Sequence, residues 1–330
     1  MNFPNAFYLL AFLGACTTAL IALPLWRKWC LGSGLVDDPG HRKIHSEPVP
    51  LAGGLAVMTA LAVPVLLGLL ALWMQRAHLV SLADPATTER LTYGLHKRSV
   101  ELAAIFLGAL GMLIVGLLDD KHELTPPWKF TGQFIIALLV AAAGARITLF
   151  VPSLLFSYAV TVLWILTLIN AFNFMDNMNG LCGGLGAISA LGFALLAARG
   201  GQYLVALIAF LTSGALLGFL PYNFPRARAF LGDAGSHLIG YLLAVLAILP
   251  HFHSAKNPQP LAVLSPLLIL AVPLGDMVWV VLLRWKLGQP FYIGDNNHFS
   301  HRLVRRGLSR TQAVLVIWLL TALLGALAFV

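Results

Sequence analysis

Residues 149–180 read LFVPSLLFSYAVTVLWILTLINAFNFMDNMNG, and the fold turns on how this stretch changes character at Asn170. Up to residue 169 it is apolar, and about 20 apolar residues suffice for a helix to cross a hydrocarbon core. Without a linker it then becomes polar at every third position: Asn170, Asn173, Asp176 and Asn179, followed by Gly180. On a helix or tight helical loop, three-residue spacing keeps side chains near one face, drifting slowly around it. Carboxamides and a carboxylate on one stripe can coordinate a metal and hydrogen-bond a nucleotide. The plainer use is a hydrogen-bonded seam between membrane helices. Gly180, Gly183 and Gly184 weigh towards ligand binding, because they allow close approach of the backbone.

Nine further stretches resemble 149–169: 5–25, 51–74, 99–118, 129–144, 181–198, 203–220, 236–250, 260–283 and 312–330. The chain is 59% hydrophobic and 10% charged, with a mean hydropathy of +0.85. That is too apolar for a soluble domain, and long continuous runs exclude a transmembrane β-barrel, whose strands alternate. The reading is an all-α, polytopic membrane protein of about ten transmembrane helices, forming a single domain over residues 1–330. The first apolar stretch lacks a small-residue cleavage site and is expected to be a retained helix. Cys16, Cys30 and Cys182 stand singly, which suggests neither disulfides nor a zinc site.

Ten crossings put both termini on one face and five polar segments on the other: 37–50, 119–129, 170–180, 221–237 and 284–310. The face with the polar segments carries 14 of the 21 Lys and Arg residues, the opposite face 7. By the positive-inside rule the polar segments are cytoplasmic and both termini lie outside. The net charge of +8 is spread over these short loops, so it does not imply nucleic acid. It suits a phosphate-bearing substrate at the membrane surface.

Several clusters carry chemistry. Asp119-Asp120 ends an apolar helix, and adjacent carboxylates suit a hard cation such as Mg²⁺, although a solvated helix end is an equal alternative. Lys121 and Lys129 flank Pro126-Pro127, a rigid basic turn fit for phosphate oxygens. Asp233, between glycines at the start of another helix, reads first as an N-cap and second as a metal ligand. His298 and His301 are spaced i, i+3 beside Arg302, an arrangement for anions rather than zinc. A further basic cluster, His41-Arg-Lys43-Ile-His45, precedes Pro50-Leu-Ala-Gly53-Gly54. Asp276 is a carboxylate within an apolar span, hence a functional candidate or the partner of a cation such as Arg284.

Together these motifs resemble the polyprenyl-phosphate N-acetylhexosamine-1-phosphate transferases. The resemblance rests on Arg42-Lys43-Ile-His45 with Pro50-Leu-Ala-Gly-Gly54, Leu118-Asp119-Asp120, and Asn170-Ala-Phe-Asn173-x-x-Asp176-x-x-Asn179-Gly-Leu. It continues in Leu231-Gly-Asp-Ala-Gly-Ser236 and Asp295-x-Asn-His298-x-x-His301-Arg302-Leu, all in the family's order. It implies ten or eleven helices in a bacterial inner membrane and a cytoplasmic, Mg²⁺-dependent site in which Mn²⁺ would substitute. The implied reaction moves a HexNAc-1-phosphate, first of all GlcNAc-1-phosphate, from a UDP-sugar to undecaprenyl phosphate and releases UMP. A homodimer is compatible with it.

By motif, the resemblance gives Asp233, Asn173 and Asp119 to the metal and makes Asp119, Asp120, Asp176 and Asp233 the catalytic carboxylates. Lys129 would meet phosphate, and Asp176 and Asn179 would line the nucleoside pocket. His298, His301 and Arg302 would meet the sugar–phosphate end of the donor, with Lys43, His45, Lys121 and Asn170 also binding substrate. Two departures stand out: Asp176-Asn-Met-Asn179-Gly where bacterial relatives usually have Asp-Gly-x-Asp-Gly, and Ser300 in place of a middle histidine. Two rivals are an Mg²⁺-dependent membrane prenyltransferase and a non-enzymatic transporter. The first usually needs two Asp-rich clusters, and the second has Asp276 as its best support.

Overall fold

A computed structural model describes residues 4–39, 47–148, 151–250, 263–290 and 296–330, so Lys43 and His45 lie outside the described residues. In chain order come α1 (Asn5–Ser33), the two-residue strands β1 (Val36–Asp37) and β2 (Val49–Pro50), and α2 (Gly53–Arg76). Then follow α3 (Pro85–Lys97), α4 (Ser99–His122), α5 (Pro126–Ala142), α6 (Leu154–Met175), α7 (Leu181–Arg199) and α8 (Tyr203–Phe219). The remainder is α9 (Gly232–Ile248), α10 (Ser265–Ile269), α11 (Ala271–Lys286), α12 (Phe299–Arg305) and α13 (Arg310–Ala326).

The protein is an all-α polytopic membrane protein. Among the described residues seven helices are long and apolar enough to cross a bilayer: α1, α2, α4, α6, α7, α8 with its following turn, and α13. Their outer faces carry Leu66, Trp73, Leu107, Leu155 and Leu163, exposed as side chains meant for lipid are. The expected spans at 129–144, 236–250 and 260–283 correspond to α5, α9 and the broken pair α10–α11. Helices α5, α9 and α11 have 17, 17 and 16 residues, or about 25 Å each at 1.5 Å per residue. One helix escaped the apolar pattern. α3 begins at the start signal Asp84-Pro85, with the Asp84 carboxylate accepting from the Thr87 N–H at 2.9 Å.

α9 is the hub. It packs against α2, α4, α6, α7 and α8, and its residues 234–247 are all buried. Lipid tails offer helices no hydrophobic drive to associate, so close packing of small residues must supply it. A Cβ on Gly116 of α4 would lie 2.3 Å from Ala234 Cα, and one on Gly240 of α9 2.6 Å from Ile169 Cα. Thus α4, α9 and α6 touch backbone to backbone, which fixes where their polar ends fall. On the neighbouring side, the Gly53 and Gly54 N–H groups donate to Phe230 O (2.9 Å) and Leu231 O (3.2 Å). The Pro50–Gly54 motif therefore anchors the approach to Asp233.

Candidate active site

Four helix ends converge: the C-termini of α4 and α6 and the N-termini of α5 and α9. α4 stops just past its aspartates, where Glu123 takes a left-handed conformation (φ 47°), and Pro126-Pro127 then starts α5. This short turn brings Lys129 back over Asp119, with Nζ 2.6 Å from Asp119 Oδ2 and 3.3 Å from Asp233 Oδ2. The other Asp119 oxygen accepts from the Leu124 N–H at 2.9 Å. The Asn173 side-chain N–H donates to Asp233 Oδ1 and to Ser236 Oγ (3.0 Å). Asn173 thus faces the cluster through its nitrogen and orients Asp233.

Asp120 turns the other way. Its oxygens accept from the backbone N–H groups of Asp233 (2.7 Å) and Ala234 (3.0 Å), donors that the first turn of a helix cannot satisfy internally. Gly232, at φ 72°, makes the bend, and a Cβ there would lie 2.6 Å from Asp120 Oδ2. Asp120 is therefore the cap of α9, holding the backbone from which Asp233 projects.

His237 is the neighbour that sequence reasoning passed over. It is fully buried, its Nδ1 has no hydrogen-bond partner, and Asp119, Asp233 and His237 each bring one ligand atom within 4.8 Å of the others. Two carboxylates and an orphaned buried nitrogen fit a divalent cation. The signal was present, since Asp233 and His237 are i, i+4 on α9 and share a face. Behind His237 stands Gln133, whose Oε1 accepts from the Asn170 side-chain N–H at 3.0 Å. Asn170 thus belongs to the support of this cluster.

The polar stripe divides where α6 ends at Met175. Asn170 and Asn173 lie on the helix, while Asp176, Asn177 and Asn179 lie on the loop beyond. Burial raises the Asp176 carboxyl to about 8, and the charges of Asp233 and Asp120 push the same way. The Asn179 side-chain N–H donates to Pro225 O at 3.3 Å. Lys121 is exposed on the last turn of α4, and no described contact joins it to the acid cluster.

The histidines form a second cluster on α11 and α12. Buried Asp276 accepts from the Phe299 N–H (2.5 Å) and lies 2.7 Å from His298 Nδ1. An ionised carboxylate only accepts, so Nδ1 carries the hydrogen of this bond. Phe174, next to Asn173, meets the His298 ring edge-on at 5.6 Å and has the Arg284 guanidinium 4.9 Å from its centroid. Arg302 stacks over Trp279 at 4.5 Å. The His301 pKa is lowered by burial, with the positive charges of His298, Arg305 and Arg310 adding to it.

Residues 102–251, which contain the whole acid cluster, match glycosyl transferase family 4. Over 318 residues the chain is 32% identical to the "Probable undecaprenyl-phosphate N-acetylglucosaminyl 1-phosphate transferase" of Bacillus subtilis (strain 168), covering 94% of this chain and 81% of that protein. The chain belongs to glycosyl transferase family 4. It is also 34% identical to the decaprenyl-phosphate N-acetylglucosaminephosphotransferase of Mycolicibacterium smegmatis, over 87% of this chain and 72% of that one. With the undecaprenyl-phosphate alpha-N-acetylglucosaminyl 1-phosphate transferase of Escherichia coli (strain K12) identity is 28%, over 91% and 77% of the two chains. As a family 4 protein it is a membrane-embedded phosphotransferase, which sets aside the prenyltransferase and transporter readings. Asp276, the support for a transporter, is accounted for by His298 and the first N–H of α12.

Proposed function

We propose that this family 4 enzyme transfers GlcNAc-1-phosphate from UDP-GlcNAc to undecaprenyl phosphate, releasing UMP, at a divalent-cation site on the cytoplasmic face of a bacterial inner membrane. The observation that carries the reading is the convergence of Asp119 and Asp233 on Lys129 at the ends of apolar helices. The Lys and Arg bias towards that face supports the orientation. Asp119 and Asp233 would hold the cation, Mg²⁺ first and Mn²⁺ as its substitute, with His237 completing the group. When bound, it supplies charge neutralisation for the donor diphosphate.

The protein's own groups position the partners and absorb charge, which is most of what phosphoryl transfer asks of an enzyme. An oxygen of the lipid phosphate attacks the phosphorus bonded to the sugar, and the bond from that phosphorus to the UMP oxygen breaks. The acceptor needs no strong base. A phosphate monoester has a second pKa of about 6, so near pH 7 it is already largely dianionic. Lys129 would meet a phosphate oxygen, while Asp176 and Asn179 would flank a nucleoside and His298, His301 and Arg302 would meet the sugar–phosphate end.

The test is to incubate membranes carrying the protein with radiolabelled UDP-GlcNAc, UDP-GalNAc or UDP-MurNAc-pentapeptide, Mg²⁺ and undecaprenyl phosphate. Labelled lipid and UMP are expected from UDP-GlcNAc. Labelled lipid from none of the three, with no UMP formed, overturns the reading.

A further inference from the structure

The acid loop and the histidine helix are 123 residues apart in sequence, yet one hydrogen bond joins them directly: the Ser300 hydroxyl donates to Asn177 Oδ1 at 2.7 Å. Ser300 is 1% exposed, so its hydroxyl needs a protein partner, and Asn177 supplies it. The other end of the same carboxamide is also engaged, because Asn177 Nδ2 donates to Phe174 O at 2.6 Å. Asn177 therefore bridges the end of α6 to α12.

α12 depends on such contacts. It has seven residues, too few for a helix to hold its shape alone in water. Three consecutive residues tie it down from two sides, His298 and Phe299 to Asp276 of α11 and Ser300 to Asn177 of the loop. Asn177 directly follows Asp176 and lies two residues before Asn179, while His301 and Arg302 directly follow Ser300. This bond therefore helps set the spacing between the two groups, beside the edge-on contact of Phe174 with His298.

We propose that the Asn177–Ser300 hydrogen bond is a positioning contact that fixes the gap between the Asp176 loop and His301–Arg302, and so the fit of the two-ended nucleotide-sugar donor. The inference rests on the transferase reading for its ligand. Its test uses the full-length protein in nanodiscs, with kinetics for UDP-GlcNAc and undecaprenyl phosphate varied separately. Ser300→Ala and Asn177→Ala are each expected to raise KM for the donor about three- to tenfold, the worth of one buried hydrogen bond. Neither should move KM for the lipid or change kcat by more than about twofold, since the contact lies outside the reacting atoms.

The double variant is expected to be no worse than Asn177→Ala alone, because both single variants remove the Asn177–Ser300 contact and only Asn177→Ala also loses the bond to Phe174 O. Ser300→Thr, which keeps a hydroxyl, is expected to stay near wild type. Additive losses in the double variant, or a fall in kcat with donor KM unchanged, overturn the proposal. Hydrogen exchange over residues 299–305 gives a second, activity-free measurement. Both alanine variants should exchange faster there and at the wild-type rate in α13, and unchanged exchange in α12 overturns the latch. A wild-type protein that makes no labelled lipid fails the transferase reading instead, and exchange alone then decides the latch.

Discussion

Asp119 and Asp233 stand on helices that touch backbone to backbone through Gly116, whereas His298, Ser300 and His301 stand at or on a seven-residue helix held by side-chain hydrogen bonds. At the acid end, position follows from packing of the whole bundle, with α9 enclosed on every side. At the histidine end it leans on two polar residues, Asp276 and Asn177, with Phe174 against the His298 ring and α13 beside α12. A packed end resists adjustment and fails as a unit. A hydrogen-bonded end can be altered one contact at a time. On the proposed reading the reaction suits this division, since charge neutralisation needs fixed carboxylates while donor recognition tolerates tuning.

The largest effect is expected at the acid end, where Asp233→Asn or Asp119→Asn should lower turnover about 10²–10³-fold, read as labelled lipid per minute. If Asp119 serves electrostatics and not as a base, the pH–rate profile of Asp119→Asn keeps its shape and is only rescaled; loss of the acidic limb would break that assignment. Next comes Gly116→Ala, whose new Cβ meets the α9 backbone and should cost roughly 1–3 kcal/mol in a melting experiment, with activity falling alongside. A smaller loss, about tenfold in kcat/KM for the donor, is expected of Asp276→Asn, which removes the charge beside His298. Combined with Gly116→Ala its effect should add, and strong non-additivity would show that the two ends are one unit.

The smallest effect concerns pH. Unfolded, Asp176 loses its proton near 3.8, whereas folded it keeps it up to about 8. The folded state therefore binds more protons across that window, and this contribution to stability is lost as pH rises through it. The melting temperature of the cation-free protein should fall by several degrees from pH 5 to pH 8, the linkage being discounted because Asp176 is only partly buried. Asp176→Asn should flatten the slope, and an unchanged slope would assign it to other groups.

Much of this was legible in the chain. The apolar runs mark the long helices, and motif order picks out Asp119, Asn173 and Asp233, which the fold gathers around Lys129. What escaped depends on direction or distance. Nothing in Asp119-Asp120 says that one side chain faces the cluster and the other the start of α9, because that depends on the bend at Gly232. His237 has Asp233 at i−4 on its own helix, but Asp119 comes beside it only once α4 folds against α9. Asp276 and His298 are 22 residues apart on separate helices, beyond any helical spacing rule. Asn177 and Ser300 lie at the two motifs where the chain departs from its family's pattern, yet no linear reading shows that the departures touch. α3 was missed for a simpler reason: its start signal, Asp84-Pro85, lies outside any apolar run.

The capping of α9 by Asp120 changes how paired aspartates should be interpreted in mutational surveys. Two adjacent residues that both abolish turnover when replaced invite a shared chemical role. Here one loss would strip charge from the reaction centre, while the other would release the first turn of the central helix and let Asp233 drift. In an activity assay those failures look the same. A melting curve separates them, because unfastening a buried helix start weakens the bundle, whereas removing Asp119 relieves a desolvated carboxylate. On the proposed reading the neighbours Asp119 and Asp120 are thus a worker and its vice.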